Sequence, residues 1–318
     1  MYPLRFEPIL RRYLWGGRRL ETVLGKPIGE GEDYAESWEI VDHGEDQSIV
    51  RHGELRGSRL NDLLRQYGVE LLGRHAGVSR FPLLFKFLDA HRNLSVQVHP
   101  DDDQAARLDP PDLGKTEAWV VLHAEPGSVI YAGLQPGVDR AALEREVHRH
   151  TTEQCLHRIE PQVGDSVFIP AGTVHAIGAG LVIAEIQQAS DTTFRLFDWN
   201  RVDAQGNPRA LHIEQSLDVI DYERGPVTPQ TPEPTRRSHV TRLVACDKFI
   251  LDRWQFNQSV AVGGDWKCHL LAVVHGALFF EGDQVPLRRG QTALVPASLG
   301  EVALRPDGAC VLLDMTLP

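Results

Sequence analysis

Polar and apolar residues alternate along Asn93–Asp102, so Ser95, Gln97 and His99 fall on one face of a short strand and Val96 and Val98 on the other. The same two-residue period in Gly114–Leu122 places Lys115 and Glu117 on one face with Trp119, ahead of an apolar run. Phe81–Leu88 is a further strand, apolar except for Lys86, and Ala35–Val41 is another. In Gly164–His175, Gly164 supplies a tight turn and Asp165–Ile169 reads as a strand. Pro170 with Gly172 then bends the chain so that His175 returns inward.

Helical spacing is rarer. Ser58 to Leu72 carries apolar residues at helical intervals, with Ser58 able to cap, and Val138–His157 reads as one or two short helices with Asp139 as a cap. The histidines there, His148, His150 and His157, belong to a charged, solvated face and receive no functional role. Thr228–Thr235, rich in proline and threonine, reads as an exposed connection. Beyond it, Gly290–Glu301 repeats the intervals of Gly164–His175, with Glu301 where His175 stood; an apolar strand and turn precede each copy, Trp119–Gly133 and Leu270–Gly282. The expected fold is therefore mainly β, with two cupin-like (jelly-roll) barrels and a few short helices. Residues 1–227 form the N-terminal unit with small helical additions, and residues 236–318 a C-terminal one. The second copy has no Gln-x-His strand upstream, and Cys268 and His269 do not supply one, so its barrel is expected to lack a metal.

Gln97, His99, Glu117 and His175 offer an amide oxygen, two imidazoles and a carboxylate. That set suits a divalent metal such as zinc with a position left open for water or substrate. Four such residues on three short strands mark a site, although any one alone would read as a satisfied polar residue.

The 318 residues can bury a substantial core, but length does not imply an enzyme. A net charge of -11 and a pI near 5.7 argue against nucleic-acid and anionic-membrane partners. A phosphate-bearing ligand would then need a local basic pocket. Cys155, Cys246, Cys268 and Cys310 lack metal or redox spacing and read as free thiols, which suits the cytoplasm. Neither a signal peptide nor a run long enough to span a membrane is evident, so a soluble, unprocessed protein is expected.

Seven segments in order carry a resemblance over most of the chain: Tyr13-Leu-Trp-Gly-Gly17, Ala35-Glu-Ser-Trp-Glu39, Phe81-Pro-Leu-Leu-Phe-Lys86, Leu94–Asp102, Gly114-Lys-Thr-Glu117, Ile169–Ala176 and Phe194-Arg-Leu-Phe-Asp-Trp199. The sequence resembles the type I mannose-6-phosphate isomerases, in particular the shorter bacterial members. The resemblance implies two cupin-like barrels, one zinc ion per chain in the N-terminal barrel, and interconversion of mannose 6-phosphate and fructose 6-phosphate. It puts Gln97, His99, Glu117 and His175 at the zinc-ligand positions and Arg195 at a catalytic one. Ser95, Lys86 and Lys115 fall where phosphate or sugar is contacted, and Lys115 is also a candidate for catalysis. The chemistry agrees: moving a carbonyl from C1 to C2 passes through an enediol, which needs a proton carrier and stabilised oxygens.

Two departures stand out. Longer relatives insert a helical domain between barrel strands, whereas here only residues 138–157 lie between Glu117 and His175. Ile177 also replaces an aromatic sugar contact of some relatives. Competing readings are an iron-dependent cupin oxygenase, since two histidines and a carboxylate can hold Fe(II), and a non-catalytic sugar-binding cupin. An ion pair of Arg195 with Asp191 or Asp198 is the alternative to its catalytic role.

Overall fold

The computed structural model describes residues 1–203 and 205–318. The N-terminal part supplies strands β1 (Ile9–Gly17), β2 (Tyr34–Ile40), β3 (Leu83–Ala90), β4 (Val96–Val98), β5 (Glu117–Ala124), β6 (Ile130–Leu134), β7 (Leu156–Ile159), β8 (Ser166–Ile169), β9 (His175–Ile177), β10 (Leu181–Gln188) and β11 (Phe194–Phe197). They form a six-stranded antiparallel sheet, β8-β5-β10-β3-β2-β1, and a five-stranded one, β7-β6-β9-β4-β11. Trp119, Leu88 and Ile183 of the first sheet pack with Ile130, Ala132 and Ile177 of the second, so the two lie face to face.

The C-terminal part repeats this arrangement with β12 (Val240–Ala245), β13 (Ile250–Phe256), β14 (Val260–Gly263), β15 (His269–His275), β16 (Ala277–Phe280), β17 (Leu287–Arg288), β18 (Thr292–Val295), β19 (Glu301–Pro306) and β20 (Cys310–Thr316). Glu233–Pro234 joins β12-β13-β20-β15-β18 in a six-stranded sheet that faces the four-stranded β14-β19-β16-β17. The fold is mainly β with few short helices, as expected from the sequence.

The outer faces of the two six-stranded sheets meet in one core, where Phe85, Phe87 and Val182 share a cluster with Leu251, Leu270 and Leu313. These sheets are thus covered on both sides, which is why all eight residues of β3 are buried. Helix α1 (Leu60–Leu72) seals this core with Leu60, Leu63 and Leu72. Helices α2 (Arg140–His148) and α3 (Ile213–Val219) cover the outer face of the five-stranded sheet.

Several local expectations need correction. Ser58 does not cap α1: the N-cap is Arg59, without a side-chain bond, and the helix is kinked at Tyr67. The 138–157 region holds one α-helix, capped as expected by Asp139 accepting from the Ala142 N–H at 2.7 Å, then a 3-10 turn at Thr152–Cys155, and His157 lies in β7. Thr228–Thr235 is largely exposed but fastened: Gln230 N donates to Ser166 O at 2.7 Å, and Glu233 pairs with Arg242. At the other end of the chain Leu4 exchanges two 2.8 Å backbone bonds with Leu294. All four cysteines are free, and among the described residues no helix is long and apolar enough to cross a membrane.

Within the second six-stranded sheet, buried His269 donates from Nδ1 to Asp314 at 2.9 Å and from Nε2 to Asp265 at 3.1 Å. Burial works against its charged form, but the two carboxylates outweigh it and raise the pKa to about 10. Because this folded value exceeds the unfolded value of about 6.5, the stabilisation is complete below pH ~6.5 and lost as pH rises towards ~10. Urea unfolding should therefore give a wild-type stability that declines over that window. Asp314→Asn should flatten the decline and cost about 3 kcal/mol at pH 6; an unchanged slope would show that the pair is not coupled to folding.

Candidate functional site

The first pair of sheets builds its site from two rows of residues. On the five-stranded sheet, Gln97 of β4 stands opposite His175 of β9 on one side and Arg195 of β11 on the other. Val96 and Val98 point the opposite way into the core under α2 and α3, which fixes Gln97 inward. On the six-stranded sheet, Glu185 of β10 stands between Lys86 of β3 and Trp119 of β5, with Glu117 two residues from Trp119. Gly172, at φ +81°, allows the turn after Pro170 that returns the chain to His175.

His99, Glu117 and His175 are buried, and one donor atom from each lies within 4.8 Å of the others. His175 Nε2 is 3.3 Å from Glu117 Oε1, and His99 Nε2 is 3.6 Å from Glu117 Oε2. Each imidazole has its Nδ1 2.9 Å from a carbonyl, of Thr192 for His99 and of Thr173 for His175. A carbonyl only accepts, so Nδ1 carries the proton and each Nε2 turns a lone pair to the centre, the tautomer a metal ligand requires. Burial, joined for His99 by the Lys115 charge, lowers both pKa values, that of His175 to about 4, which keeps the rings neutral near pH 7. Gln97 places its amide nitrogen 3.3 Å from His175 Nε2 and 3.5 Å from His99 Nε2, and turning that amide over presents Oε1 to the same point. The residue set thus fits a divalent cation on chemical grounds.

A cavity of about 260 Å³ opens over this cluster, and Lys86, Ser95, Lys115, Ile177, Arg195 and Arg209 are on its wall. Every site residue expected from the sequence is therefore gathered here, and both lysines expected to contact phosphate or sugar also face carboxylates. Lys86 Nζ is 3.2 Å from Glu185 and 3.6 Å from Glu36. Those carboxylates overcome the cost of its burial and raise its pKa, holding it as an ammonium. Lys115 contacts Glu117 directly and lies 3.7 Å from Glu185 and 3.1 Å from His99 Nε2. Arg195 makes no ion pair with Asp191 or Asp198; it donates from Nε to Ser95 at 3.3 Å and from a terminal nitrogen to Ala210 O at 2.9 Å.

Glu36, Glu185, Arg209 and Asp112 were not singled out from the sequence. Glu185 had a signal, a single carboxylate in the apolar run Leu181–Ile186. Asp112 had none, because its importance is tertiary. It accepts from Ser190 Oγ at 2.8 Å, Thr192 Oγ1 at 2.9 Å and Arg80 at 3.0 Å, with His43 at 3.4 Å. These bonds outweigh the cost of burial and keep its carboxyl well below the usual range. It thereby pins the loop whose Thr192 carbonyl orients His99.

The fold and its buried His-Glu-His cluster define a mainly β protein of cupin architecture. Residues 4–113 match the family model described as phosphomannose isomerase type I, catalytic domain. The chain is 34% identical to mannose-6-phosphate isomerase ManA of Bacillus subtilis, with 98% of each chain covered. It is 36% identical to mannose-6-phosphate isomerase of Streptococcus mutans, with 93% of each covered. The crystal structure of the mannose 6-phosphate isomerase from Bacillus subtilis superposes with a TM-score of 0.90 over 99% of both chains, at 28% identity. The chain belongs to the type I phosphomannose isomerase family.

Asp112→Ala should weaken divalent-metal binding about tenfold or more, the usual cost of losing an outer partner of a ligand. Equilibrium dialysis against zinc measures it. Undiminished affinity would mean that Thr192 holds His99 without Asp112.

Proposed function

We propose that this protein interconverts mannose 6-phosphate and fructose 6-phosphate, with Gln97, His99, Glu117 and His175 holding one divalent metal, zinc by the family resemblance. The observation that carries the reading is the convergence of two Nε2 lone pairs and the Glu117 carboxylate on one point at the floor of a cavity walled by lysine and arginine. Residues 1–227 are taken as the catalytic unit and residues 236–318 as the barrel without a metal. Four free thiols fit a reducing cytoplasm.

A metal ion held by Gln97, His99, Glu117 and His175 would supply Lewis-acid polarisation of the substrate's reacting oxygens. The remaining work falls to the side chains. Isomerisation removes the proton on C2 of the aldose and returns one to C1, with an enediol between. Lys115, at the inner end of the cavity against Glu117, is assigned to carry that proton, which its amine form takes from C2 and its ammonium form returns to C1. Arg195 is a fixed cation facing the cavity from the opposite sheet, where it stabilises negative charge on the enediol oxygens.

The substrate phosphate is a dianion and needs positive charge that carboxylates have not already neutralised. Lys86 is matched by Glu185 and Glu36, so its part is to hold Glu185 ionised and fix the floor of the site. Arg209 sits on the cavity wall with more of its charge free, 3.7 Å from Asp198, while Arg195 is kept for the enediol oxygens. Ser95, held by Arg195 Nε, adds a hydroxyl beside them. The phosphate is therefore placed on this edge.

A coupled assay tests the reading: mannose 6-phosphate should be converted to fructose 6-phosphate, activity should vanish with chelator, and zinc should restore it. Fully metal-loaded protein without that activity would sink the proposal. His99→Ala and His175→Ala should each abolish metal binding and cut kcat by more than the roughly hundredfold that losing an outer partner can cost, with the circular dichroism of the fold retained. Full activity in either variant would overturn the ligand assignment.

A further inference from the structure

The turn that delivers His175 recurs at Gly290–Glu301, and the strands around the two copies keep one register. Ile169 stands opposite Glu117, and its counterpart Val295 stands opposite His269. Glu185 lies between Trp119 and Lys86; Asp314 lies between Leu271 and Asp252 in the same way. His269, Asp314 and Asp252 therefore occupy the positions that Glu117, Glu185 and Lys86 occupy in the first barrel. They line a second cavity of about 560 Å³, within the size range of small-molecule sites.

Its chemistry differs from the first. Arg242 grips Asp252 through two bonds of 2.8 and 3.0 Å, and His269 is engaged at both ring nitrogens by Asp314 and Asp265. No imidazole lone pair is left for a metal at this place. The floor is thus polar and charge-paired, yet its paired carboxylates keep lone pairs that can accept from hydroxyl groups. The buried Thr316 adds a hydroxyl of its own.

The cavity wall also carries Glu233, Lys267 and two further arginines. Arg236 and Arg237 line the same cavity, and among the described residues neither has a carboxylate within 4.0 Å. Arg237 lies 5.4 Å over the Trp254 ring and donates to Ala261 O at 3.1 Å, which fixes its guanidinium at the cavity edge. Two guanidinium groups without carboxylate partners favour a phosphate, whose oxygens match their fork.

We propose that the second cavity binds a phosphorylated sugar or polyol without reacting it, with the phosphate on Arg236 and Arg237 and the hydroxyls against Asp252, Asp314 and Thr316. The proposal goes beyond the isomerase reading and does not depend on it. Isothermal titration of the metal-loaded full chain with fructose 6-phosphate is the test, with unphosphorylated fructose as a control. Wild-type protein should bind two equivalents. The double variant Arg236→Ala, Arg237→Ala should lose one of them, with affinity about tenfold or more weaker, while kcat/KM stays within about twofold because the first cavity is untouched. Arg195→Ala should spare that equivalent. A single equivalent that disappears in Arg195→Ala and survives the double variant would overturn the proposal, as would fructose binding the second cavity as tightly as its phosphate. Protein inactive on mannose 6-phosphate that still loses an equivalent in the double variant would sink the isomerase reading and leave this one standing.

Discussion

The buried carboxylate of Glu185 is the constraint around which the first barrel is arranged. It lies in a sheet covered on both faces, where an unpaired charge would cost several kcal/mol. Lys86, Lys115 and the Trp119 indole surround it, the indole donating at 3.1 Å. Lys115 passes the same charge on to Glu117, and Glu117 faces the two imidazoles. Each member is tolerable only because the next is present, so the charge chain must exist as a whole. That chain runs from the middle of the apolar sheet to the cluster at the cavity floor.

The five-stranded sheet contributes differently. Its inward row is held by backbone register and by hydrogen bonds to carbonyls, so the two imidazoles are oriented by uncharged groups while the opposing sheet supplies charge. A metal placed between them would be gripped by neutral ligands from one side and by a carboxylate tethered to lysine from the other. This division keeps Glu117 aimed across the barrel, and it confines the free positive charge to the arginine edge.

Much of this was legible in the sequence, for physical reasons. A strand with one chemical face reveals itself through a period of two, which is why Gln97, His99, Lys115 and Glu117 could be read and grouped. The Gly-Pro-Gly turn fixed the direction of His175. Glu185 was harder, since a single acid among apolar residues announces an anomaly without naming its partner. Asp112 and Arg209 were illegible because both sit outside regular strands and matter only through neighbours distant along the chain. The lysines were legible as site residues, but their neutralisation by Glu36 and Glu185 depends on pairing across strands that no local pattern encodes. The expected cap at Ser58 failed for another reason: packing of Leu60 and Leu63 set the boundary, and the serine hydroxyl was not needed.

Leu4 and Leu294 close a loop that takes in most of the chain, and the two six-stranded sheets share one apolar core behind it. Neither half could lose its structure without stripping a large apolar face from the other. The joint, more than the pseudo-repeat, therefore ties the folding of the two halves together, since each supplies apolar surface that the other buries.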